Sequence, residues 1–211
     1  MSKVKVSMAV SLDGYVAGPN QSLEEPLGEG GEKLHEWLFD LEIFRRLHGD
    51  EGGTVNASTP IVEDSIEGIG AFVMGRNMFG GGPGEWDESW RGWWGDDPPY
   101  HAPVFVLTHH AREPLPMEGG TTFYFVTDGI VSALEQARAA AGDRDVLIAG
   151  GASVVQQYLA AGLIDQLTLS IAPVLLGTGA RFFAEGGVAE LEQIGAVEAP
   201  GVTHLRYRAR R

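Results

Sequence analysis

A buried strand followed at once by two glycines and a helix constrains the fold of this chain more than any other feature. Val146–Ala149 is an apolar run too short for a helix, which predicts a buried strand. Gly150 and Gly151 follow, and Ser153 is expected to open an amphipathic helix that Gly162 ends. Such a strand–turn–helix unit is typical of α/β folds, in which helices cover a sheet.

The same turn has the features of an anion site. Two glycines allow a sharp turn and leave backbone amides uncovered, and the N-terminus of the following helix adds a partial positive charge. Phosphate is the anion that such sites most often bind. A tight turn that binds nothing accounts for the two glycines equally well, so this segment alone leaves both interpretations open.

Two further predicted strands end in residues that suit a phosphate. Ala71–Met74 is followed by Gly75–Arg76, which offers a glycine and a permanently charged guanidinium. Val104–Leu107 is followed by Thr108 and His109. Because ligands of open α/β sheets bind at the carboxyl ends of strands, three such ends predict a ligand with several phosphates, such as a dinucleotide.

The other predicted elements complete an α/β domain with a mixed sheet. In chain order they are the strand Val4–Leu12, the loop Asp13–Lys33, the helices Leu34–Leu47 and Pro60–Glu67, the loop Gly80–His101, the strand Thr122–Val126, the helix Ile130–Ala141, the strand Gln166–Leu176 and an antiparallel pair, Glu192–Glu198 and Val202–Arg210. Thr59 and Asp128 are expected to cap the second and third helices. Neither a repeat nor a linker divides the chain, so residues 1–211 are predicted to form one domain.

Composition narrows the classes of partner. The chain of 211 residues has 29 acidic and 15 basic side chains and a formal charge of −14, which disfavours nucleic acids and anionic membranes. The absence of cysteine excludes disulfides and thiolate chemistry. No apolar run approaches the ~20 residues that span a bilayer. The alternating segment Lys3–Val6 is typical of a strand and not of a signal peptide, so a cytoplasmic protein is expected. The six histidines lack ligand spacing, and no metal site is expected.

The loop Gly80–His101 holds four of the five tryptophans of the chain: Trp86, Trp90, Trp93 and Trp94. Large rings on a flexible loop are typical of a lid, or of a surface on which a flat ligand stacks. Alternatively, the rings pin the loop onto the core or onto a partner subunit, and this second interpretation is the one the sequence favours.

Five segments follow one another in an order that a known family shares. They are Met8–Gly18 (MAVSLDGYVAG), Val73–Arg76 (VMGR), Val106–Thr108 (VLT), Ala149–Ser153 (AGGAS) and Pro173–Gly177 (PVLLG). In these segments the chain resembles the dihydrofolate reductase superfamily, and most of all the branch with the reductase domain of the riboflavin-biosynthesis deaminase-reductase. The resemblance implies a mixed, mostly parallel sheet flanked by helices with an antiparallel C-terminal strand pair, NADPH as hydride donor, a small-molecule substrate and a homodimer.

The resemblance also implies which residues bind the cofactor. The set comprises Ala9, Val16, Ala17, Gly75, Arg76, Thr108, His109, Gly150, Gly151, Ala152, Ser153 and Val154. By resemblance the first three flank the nicotinamide, whereas Gly75–Arg76 and Gly150–Val154 hold the diphosphate and ribose. Arg76, Thr108 and His109 would meet the adenosine 2′-phosphate, which selects NADPH over NADH.

The proton donor is less clear than the cofactor site. Folate-reducing members of the family carry a carboxylate on the first helix, one turn before a tryptophan. If that tryptophan is Trp37, Leu34 stands at the acid position, and a leucine cannot anchor a pterin by paired hydrogen bonds. The catalytic candidate is then Asp13, in a Ser-Leu-Asp-Gly segment that the riboflavin-pathway branch shares. Its alternative role is to cap the turn at Gly14.

Two functions follow from these expectations. The first is an NADPH-dependent reductase that transfers a hydride to a small flat heterocycle, similar to a pyrimidinone or a pterin. The second is a non-catalytic dinucleotide-binding or regulatory protein on the same scaffold, which the missing helix carboxylate favours. A pyrimidine reductase must also hold a ribose phosphate, and the basic candidates for that are few: Arg45, Arg46, Arg91 and Arg181. A less charged substrate is therefore expected.

Overall fold

A mixed sheet runs through the centre of the computed structural model, which describes residues 2–183 and 189–210. Its strands are β1 (Val4–Ser11), β3 (Ile69–Gly75), β4 (Pro103–Leu107), β5 (Leu115–Pro116), β6 (Thr122–Val126), β7 (Asp145–Gly150), β8 (Gln166–Ala172), β10 (Leu191–Ala199) and β11 (Val202–Ala209). The order across the sheet is β10-β11-β8-β1-β7-β3-β4-β6-β5. A separate two-stranded ribbon pairs β2 (Tyr15–Ala17) with β9 (Ala180–Arg181).

The central strands are parallel and the edges are antiparallel. β1 pairs in parallel with β7 and β8, and β3 pairs in parallel with β7 and β4. At one edge β11 runs antiparallel to both β8 and β10, with the turn at Pro200–Gly201. The predicted mixed, mostly parallel sheet with an antiparallel C-terminal pair is confirmed.

Alternating side chains of the central strands fill two apolar clusters on opposite faces of the sheet. On β3, Ala71 and Val73 belong to one cluster, and Phe72 and Met74 belong to the other. All residues of β3 are buried, as expected for a parallel strand that is covered on both faces. The sheet is therefore a rigid platform whose carboxyl ends are held in place from both sides.

The helices flank this platform. They are α1 (Glu36–Phe39), α2 (Glu42–Leu47), α3 (Thr59–Ile66), α4 (Arg76–Phe79), α5 (Gly129–Ala141) and α6 (Ala152–Ala160), with 3-10 turns at Gly31–Leu34 and Glu118–Gly120. Within residues 2–183 and 189–210, no helix is long and apolar enough to cross a membrane.

The prediction of one helix over Leu34–Leu47 is wrong. The chain forms a 3-10 turn and two short helices there, and it breaks at Leu41, whose backbone is extended (φ −70°, ψ 135°). Leu41 is fully buried and makes a β-bridge with Thr54, and the amide of Glu42 donates to the Thr54 carbonyl at 3.0 Å. Pairing with a distant segment thus overrides the apolar periodicity that favoured a continuous helix.

Three smaller expectations also need correction. Ser58, and not Thr59, occupies the N-cap position of α3. Asp128 does stand at the N-cap of α5, but its side chain makes no capping hydrogen bond. The strand predicted over Gln166–Leu176 ends at Ala172, since the chain turns away after that residue.

Candidate functional site

A cleft of about 1010 Å³ opens at the carboxyl ends of β3, β4 and β7. It is lined by every residue that was predicted to bind a cofactor: Ala9, Val16, Ala17, Gly75, Arg76, Thr108, His109, Gly150, Gly151, Ala152, Ser153 and Val154. These residues lie up to 145 positions apart in the chain, from 9 to 154, and the parallel sheet brings them together. Whether they bind a cofactor stays a prediction.

Three glycines shape the floor of the cleft. A Cβ at Gly75 would lie 2.8 Å from Cγ2 of Val154, so only glycine lets β3 end this close to α6. Gly150 has a φ of 132°, a region that side chains other than glycine rarely adopt, and its peptide bond to Gly151 is cis. At Gly151 a Cβ would meet nothing within 4 Å. The backbone at the start of α6 is therefore uncovered, and no side chain caps it.

Arg76 forms one wall of the cleft. Its guanidinium carbon lies 3.8 Å from the centroid of the Trp86 ring, and one Nη donates to the Glu85 carbonyl at 3.3 Å. Nε of Arg76 is buried without a hydrogen-bond partner. Burial lowers the pKa of Arg76 from its ordinary value, and the carboxylate of Glu85 opposes that shift. A fixed cation with an unsatisfied donor is thus held at the cleft.

Next to Arg76, the end of β4 adds a hydroxyl and two imidazoles. Oγ1 of Thr108 accepts a hydrogen bond from the amide of His110 at 3.1 Å. Nδ1 of His110 lies 3.1 Å from Oε1 of Glu85. His109 also lines the cleft, between these two residues. The end of β4 is therefore held by hydrogen bonds within the chain.

The charge of the cleft is opposite to that of the whole chain. The ionisable side chains that line it are His35, Arg76, His109, His110 and Arg181, and no Asp or Glu of the described residues is among them. The chain as a whole carries a formal charge of −14. Because a cleft focuses the field of the groups around it, this local excess of basic groups favours an anionic ligand.

Asp13, the predicted catalytic residue, is held by other groups. Its carboxylate accepts hydrogen bonds from Oγ of Ser11 at 2.6 Å and from the amides of Leu176 and Gly177 at 3.1 and 2.7 Å. These bonds, the one from Ser11 first, lower the pKa of Asp13 to about 2. Asp13 is also not one of the residues that line the cleft. This geometry favours the turn-capping role, because a carboxylate with that pKa carries no proton near neutrality.

The tryptophan loop is pinned to the core and also borders the cleft. Trp86, Trp90 and Trp94 pack against the apolar cluster around Phe79 and Phe123. The indole N–H groups of Trp86 and Trp90 donate to the carbonyls of His110 and Phe79, at 2.8 and 3.1 Å. The favoured interpretation, in which the rings hold the loop on the core, is supported. The cleft is nevertheless lined by Trp93 and Trp94.

Sequence reasoning missed one wall of the cleft. Gln21, Pro26, Leu27 and His35 line it, and they come from the long loop and the turn that leads into α1. A loop carries no periodic signal that would place these side chains. His35 alone offered a hint, since it follows Leu34, the position at which folate-reducing relatives carry their carboxylate. Leu34 itself is fully buried and does not line the cleft.

Among the described residues, no group of three or more His, Asp or Glu side chains could hold a metal ion.

Comparison with known proteins adds a family and a fold. The family model of the RibD C-terminal domain matches residues 2–205. A Shewanella sp. PV-4 protein provisionally assigned to riboflavin biosynthesis superposes with a TM-score of 0.63 at 24% identity, over 99% of both chains. The riboflavin biosynthesis reductase Rib7 of Saccharomyces cerevisiae gives 0.52 at 15% identity, over 100% of this chain and 89% of that one. Dihydrofolate reductase from Enterococcus faecalis, crystallised with NADP(H), gives 0.53 at 15% identity, over 99% and 97%. The resemblance and the predicted dihydrofolate reductase-like fold are both confirmed.

Proposed function

This chain belongs to the family of RibD C-terminal domains, and on that basis we propose that it is an NADPH-dependent reductase that transfers a hydride to a small flat heterocycle, similar to a pyrimidinone or a pterin. The family supports oxidoreductase activity of the riboflavin-biosynthesis type. The observation that carries the proposal is the cleft itself, because it collects all twelve predicted cofactor residues and no carboxylate from the described chain.

The residues at the strand ends fit a dinucleotide. The diphosphate would lie against the uncovered backbone of Gly150, Gly151 and the first turn of α6, where amides and the helix dipole favour negative charge. Gly75 would allow the same close approach from β3. Arg76, which has an unpartnered Nε, would pair with the 2′-phosphate together with Thr108 and His109. That phosphate is the group that distinguishes NADPH from NADH.

The opposite wall fits the nicotinamide and the substrate. Ala9, Val16 and Ala17 present small apolar side chains, against which a nicotinamide ring can lie. NADPH supplies the hydride when it is bound, and the protein supplies orientation and a site from which water is partly excluded. Trp93 and Trp94 add aromatic surface to the cleft, which suits a flat ligand.

Dihydrofolate is a poor candidate for the substrate. By resemblance, Leu34 stands at the position where folate-reducing relatives carry the anchoring carboxylate, and it is fully buried away from the cleft. Among the described residues that line the cleft, none has a carboxylate that could make paired hydrogen bonds to a 2-amino-4-oxo ring. Because these residues include no carboxylate, the second function also remains a candidate. In that function the chain is a dinucleotide-binding protein without catalysis.

One experiment separates the two functions. Titration of the protein with NADPH, followed by fluorescence and calorimetry, is expected to show one site per chain. A panel of pyrimidinones, pterins and related flat heterocycles is then tested for NADPH oxidation. Stoichiometric binding with no consumption across the panel would favour the binding protein, and no binding at all would refute both functions.

The homodimer expected from the resemblance remains a proposal. Two large apolar side chains beyond the ends of β1 and β8, Leu12 and Leu175, are 67% and 71% exposed, and Ile194 on the edge strand β10 is 38% exposed. An edge strand with apolar side chains tends to pair with another chain. We expect light scattering to give a dimeric mass at micromolar concentration, and a monomeric mass would rule the proposal out.

A further inference from the structure

His35 occupies a rigid junction at the wall of the cleft. It ends the 3-10 turn Gly31–Leu34, where its amide donates to the Glu32 carbonyl at 2.8 Å, and it stands at the N-cap position of α1. Gly31, one turn earlier, packs so closely that a Cβ there would lie 2.9 Å from Cβ of Leu27 and 3.8 Å from Cα of Ala17. The imidazole is therefore held at the end of the cleft that Ala17 and Leu27 also line.

The two ring nitrogens of His35 differ in their surroundings. Nδ1 is buried and makes no well-formed hydrogen bond. Burial lowers the pKa of His35 from its ordinary value, and the backbone of Gly31 opposes that shift. Since the side chain lines the cleft and Nδ1 is enclosed, Nε2 is the nitrogen that can meet a ligand.

Few groups in the cleft can donate a proton near neutral pH. Among the described residues that line it, the imidazoles of His35, His109 and His110 are the side chains of a type that exchanges protons near neutral pH. His109 and His110 follow β4 beside Thr108, and His110 is engaged with Glu85. His35 lies instead at the end formed by β2 and the turn into α1. It thus stands on a different element from the strand ends that are proposed to hold the phosphates.

Resting on the reductase function proposed above, we propose that His35 is the proton donor of this cleft, with the enclosed Nδ1 keeping its hydrogen and Nε2 directed at the substrate. The carbon of a C=N or C=O bond in the substrate gains a hydride, which NADPH gives up as it is oxidised to NADP⁺. The π electron pair of that bond moves onto nitrogen or oxygen, and the imidazolium of His35 gives this atom its proton from Nε2. The neutral imidazole then regains a proton from water.

This role predicts a class of substrate. A single imidazole makes one hydrogen bond to the atom that is protonated, whereas a carboxylate makes paired bonds to an aminopyrimidine ring. The cleft should therefore accept neutral or anionic flat heterocycles with one weakly basic C=N or C=O group. It should discriminate against substrates that depend on a 2-amino-4-oxo ring for anchoring.

The titration of His35 is governed by burial and by the backbone of Gly31. No charged side chain is among the causes of its pKa shift. The ionisable side chains on its own turn and on the elements packed around it are Lys5, Tyr15, Glu32, Lys33, Glu36, Glu42, Arg45 and Arg46. Turnover that needs the imidazolium should thus rise as the pH falls toward the lowered pKa of His35, and should decline about tenfold per pH unit above it.

The first test uses the unaltered protein and needs no turnover. Nitrogen-15 spectra of the histidine rings are recorded with NADP⁺ and quinoxalinone, a flat neutral heterocycle with one weakly basic C=N bond. We expect the free protein to show the tautomer with hydrogen on Nδ1 of His35, and Nε2 to shift when both probes are present. If Nε2 of His35 keeps the same resonance in that mixture, the proposal is wrong.

The second test compares His35→Gln with His48→Gln, a matched change at an exposed histidine outside the cleft. We expect His35→Gln to keep NADPH affinity within about twofold and to lose about 100-fold in quinoxalinone reduction, together with the acid-side rise. Unchanged reduction in a folded His35→Gln variant would overturn the assignment. Failure of the unaltered protein to bind NADPH would instead refute the reductase function itself. If the unaltered protein binds NADPH but does not reduce quinoxalinone, the nitrogen-15 spectra test the proposal instead. A shift of the Nε2 resonance of His35 then supports the proposal, and an unchanged resonance refutes it.

Discussion

The two sides of the cleft are built in different ways. The side that is proposed to bind the cofactor, the cofactor side, consists of the ends of β3, β4 and β7 and the start of α6, and these backbones are fixed by parallel pairing on both edges of β3. The side that is proposed to bind the substrate, the substrate side, consists of the turn into α1, the loop before it and part of the tryptophan loop. One side is thus an extension of the sheet, whereas the other is assembled from segments without regular structure.

This difference has a chemical counterpart. In the proposed function, the cofactor side recognises charge through the glycine backbone, the Arg76 guanidinium and the Thr108 hydroxyl. The substrate side offers apolar and aromatic surface with one imidazole, His35. Substitutions on the first side should therefore change which nucleotide binds, and substitutions on the second should change what is reduced.

The largest effect is expected from Gly151→Val. Position 151 is open to the cleft, with nothing within 4 Å of a Cβ, so the variant should fold while its side chain occupies the proposed phosphate position. Loss of two or more charge-assisted hydrogen bonds corresponds to about 4 kcal/mol, or about 1000-fold weaker NADPH binding. The measurement is a calorimetric titration.

A matched control is Gly195→Val on the edge strand β10, where a Cβ would approach only Arg206, at 3.8 Å. It should bind NADPH as the unaltered protein does. If Gly151→Val binds NADPH as tightly as the unaltered protein does, the phosphate does not lie at Gly151. The proposed division of the cleft into a cofactor side and a substrate side is then wrong.

A second prediction concerns His204, which ties the substrate side to the sheet. This imidazole on β11 is fully buried, accepts or donates hydrogen bonds at 2.9 Å with Ser58 and Ser170, and has the ring of Trp37 from α1 packed against it at 5.0 Å. Burial lowers the pKa of His204 from 6.5 to about 4. The folded protein therefore binds this proton less readily than the unfolded chain.

The contribution that the neutral His204 makes to the free energy of unfolding is fully present above pH 6.5. It is lost as the pH falls to about 4. The loss amounts to about 3 kcal/mol in the free energy of unfolding. Urea unfolding at both pH values measures it, and His204→Gln should remove most of this pH dependence, whereas His48→Gln should keep it. Hydrogen exchange should show α1 opening before α6 as the pH falls. Equal opening of the two helices would mean that the two sides do not differ in stability.

The third prediction tests the charge recognition of the cofactor side. Arg76→Ala should reduce the preference for NADPH over NADH by about 2 kcal/mol, the scale of a lost hydrogen bond between charged groups. Binding constants for both nucleotides give the preference, and Arg138→Ala, at an exposed position on α5, is the matched control. Equal affinity of the unaltered protein for the two nucleotides would contradict the proposed 2′-phosphate contact.

The sequence predicted which strand ends line the cleft because the signals for strand ends are local. An apolar run followed by glycine, as at Ala149–Gly151, specifies a strand end and an exposed turn within a few residues. The substrate side depends on contacts that no local pattern records, such as the bridge between Leu41 and Thr54 that divides the predicted helix. The surroundings of Asp13 could not be predicted for a related reason, since its partners Leu176 and Gly177 lie more than 160 positions away.

The last and smallest effect is expected at Trp93, on the tip of the tryptophan loop. Deleting residues 84–95 would be a poor test of the loop, because Trp86, Trp90 and Trp94 belong to an apolar cluster of the core. Trp93 borders the cleft and meets Trp90 edge-on at 4.7 Å. Trp93→Ala should lower kcat/KM for a flat substrate about fivefold, or about 1 kcal/mol of aromatic contact, and leave NADPH affinity unchanged.

Phe39→Ala, at a partly exposed aromatic residue outside the cleft, controls for the loss of a ring. If Trp93→Ala weakens NADPH binding as much as it slows turnover, this ring serves the cofactor, and the boundary between the two sides has to be redrawn through the tryptophan loop.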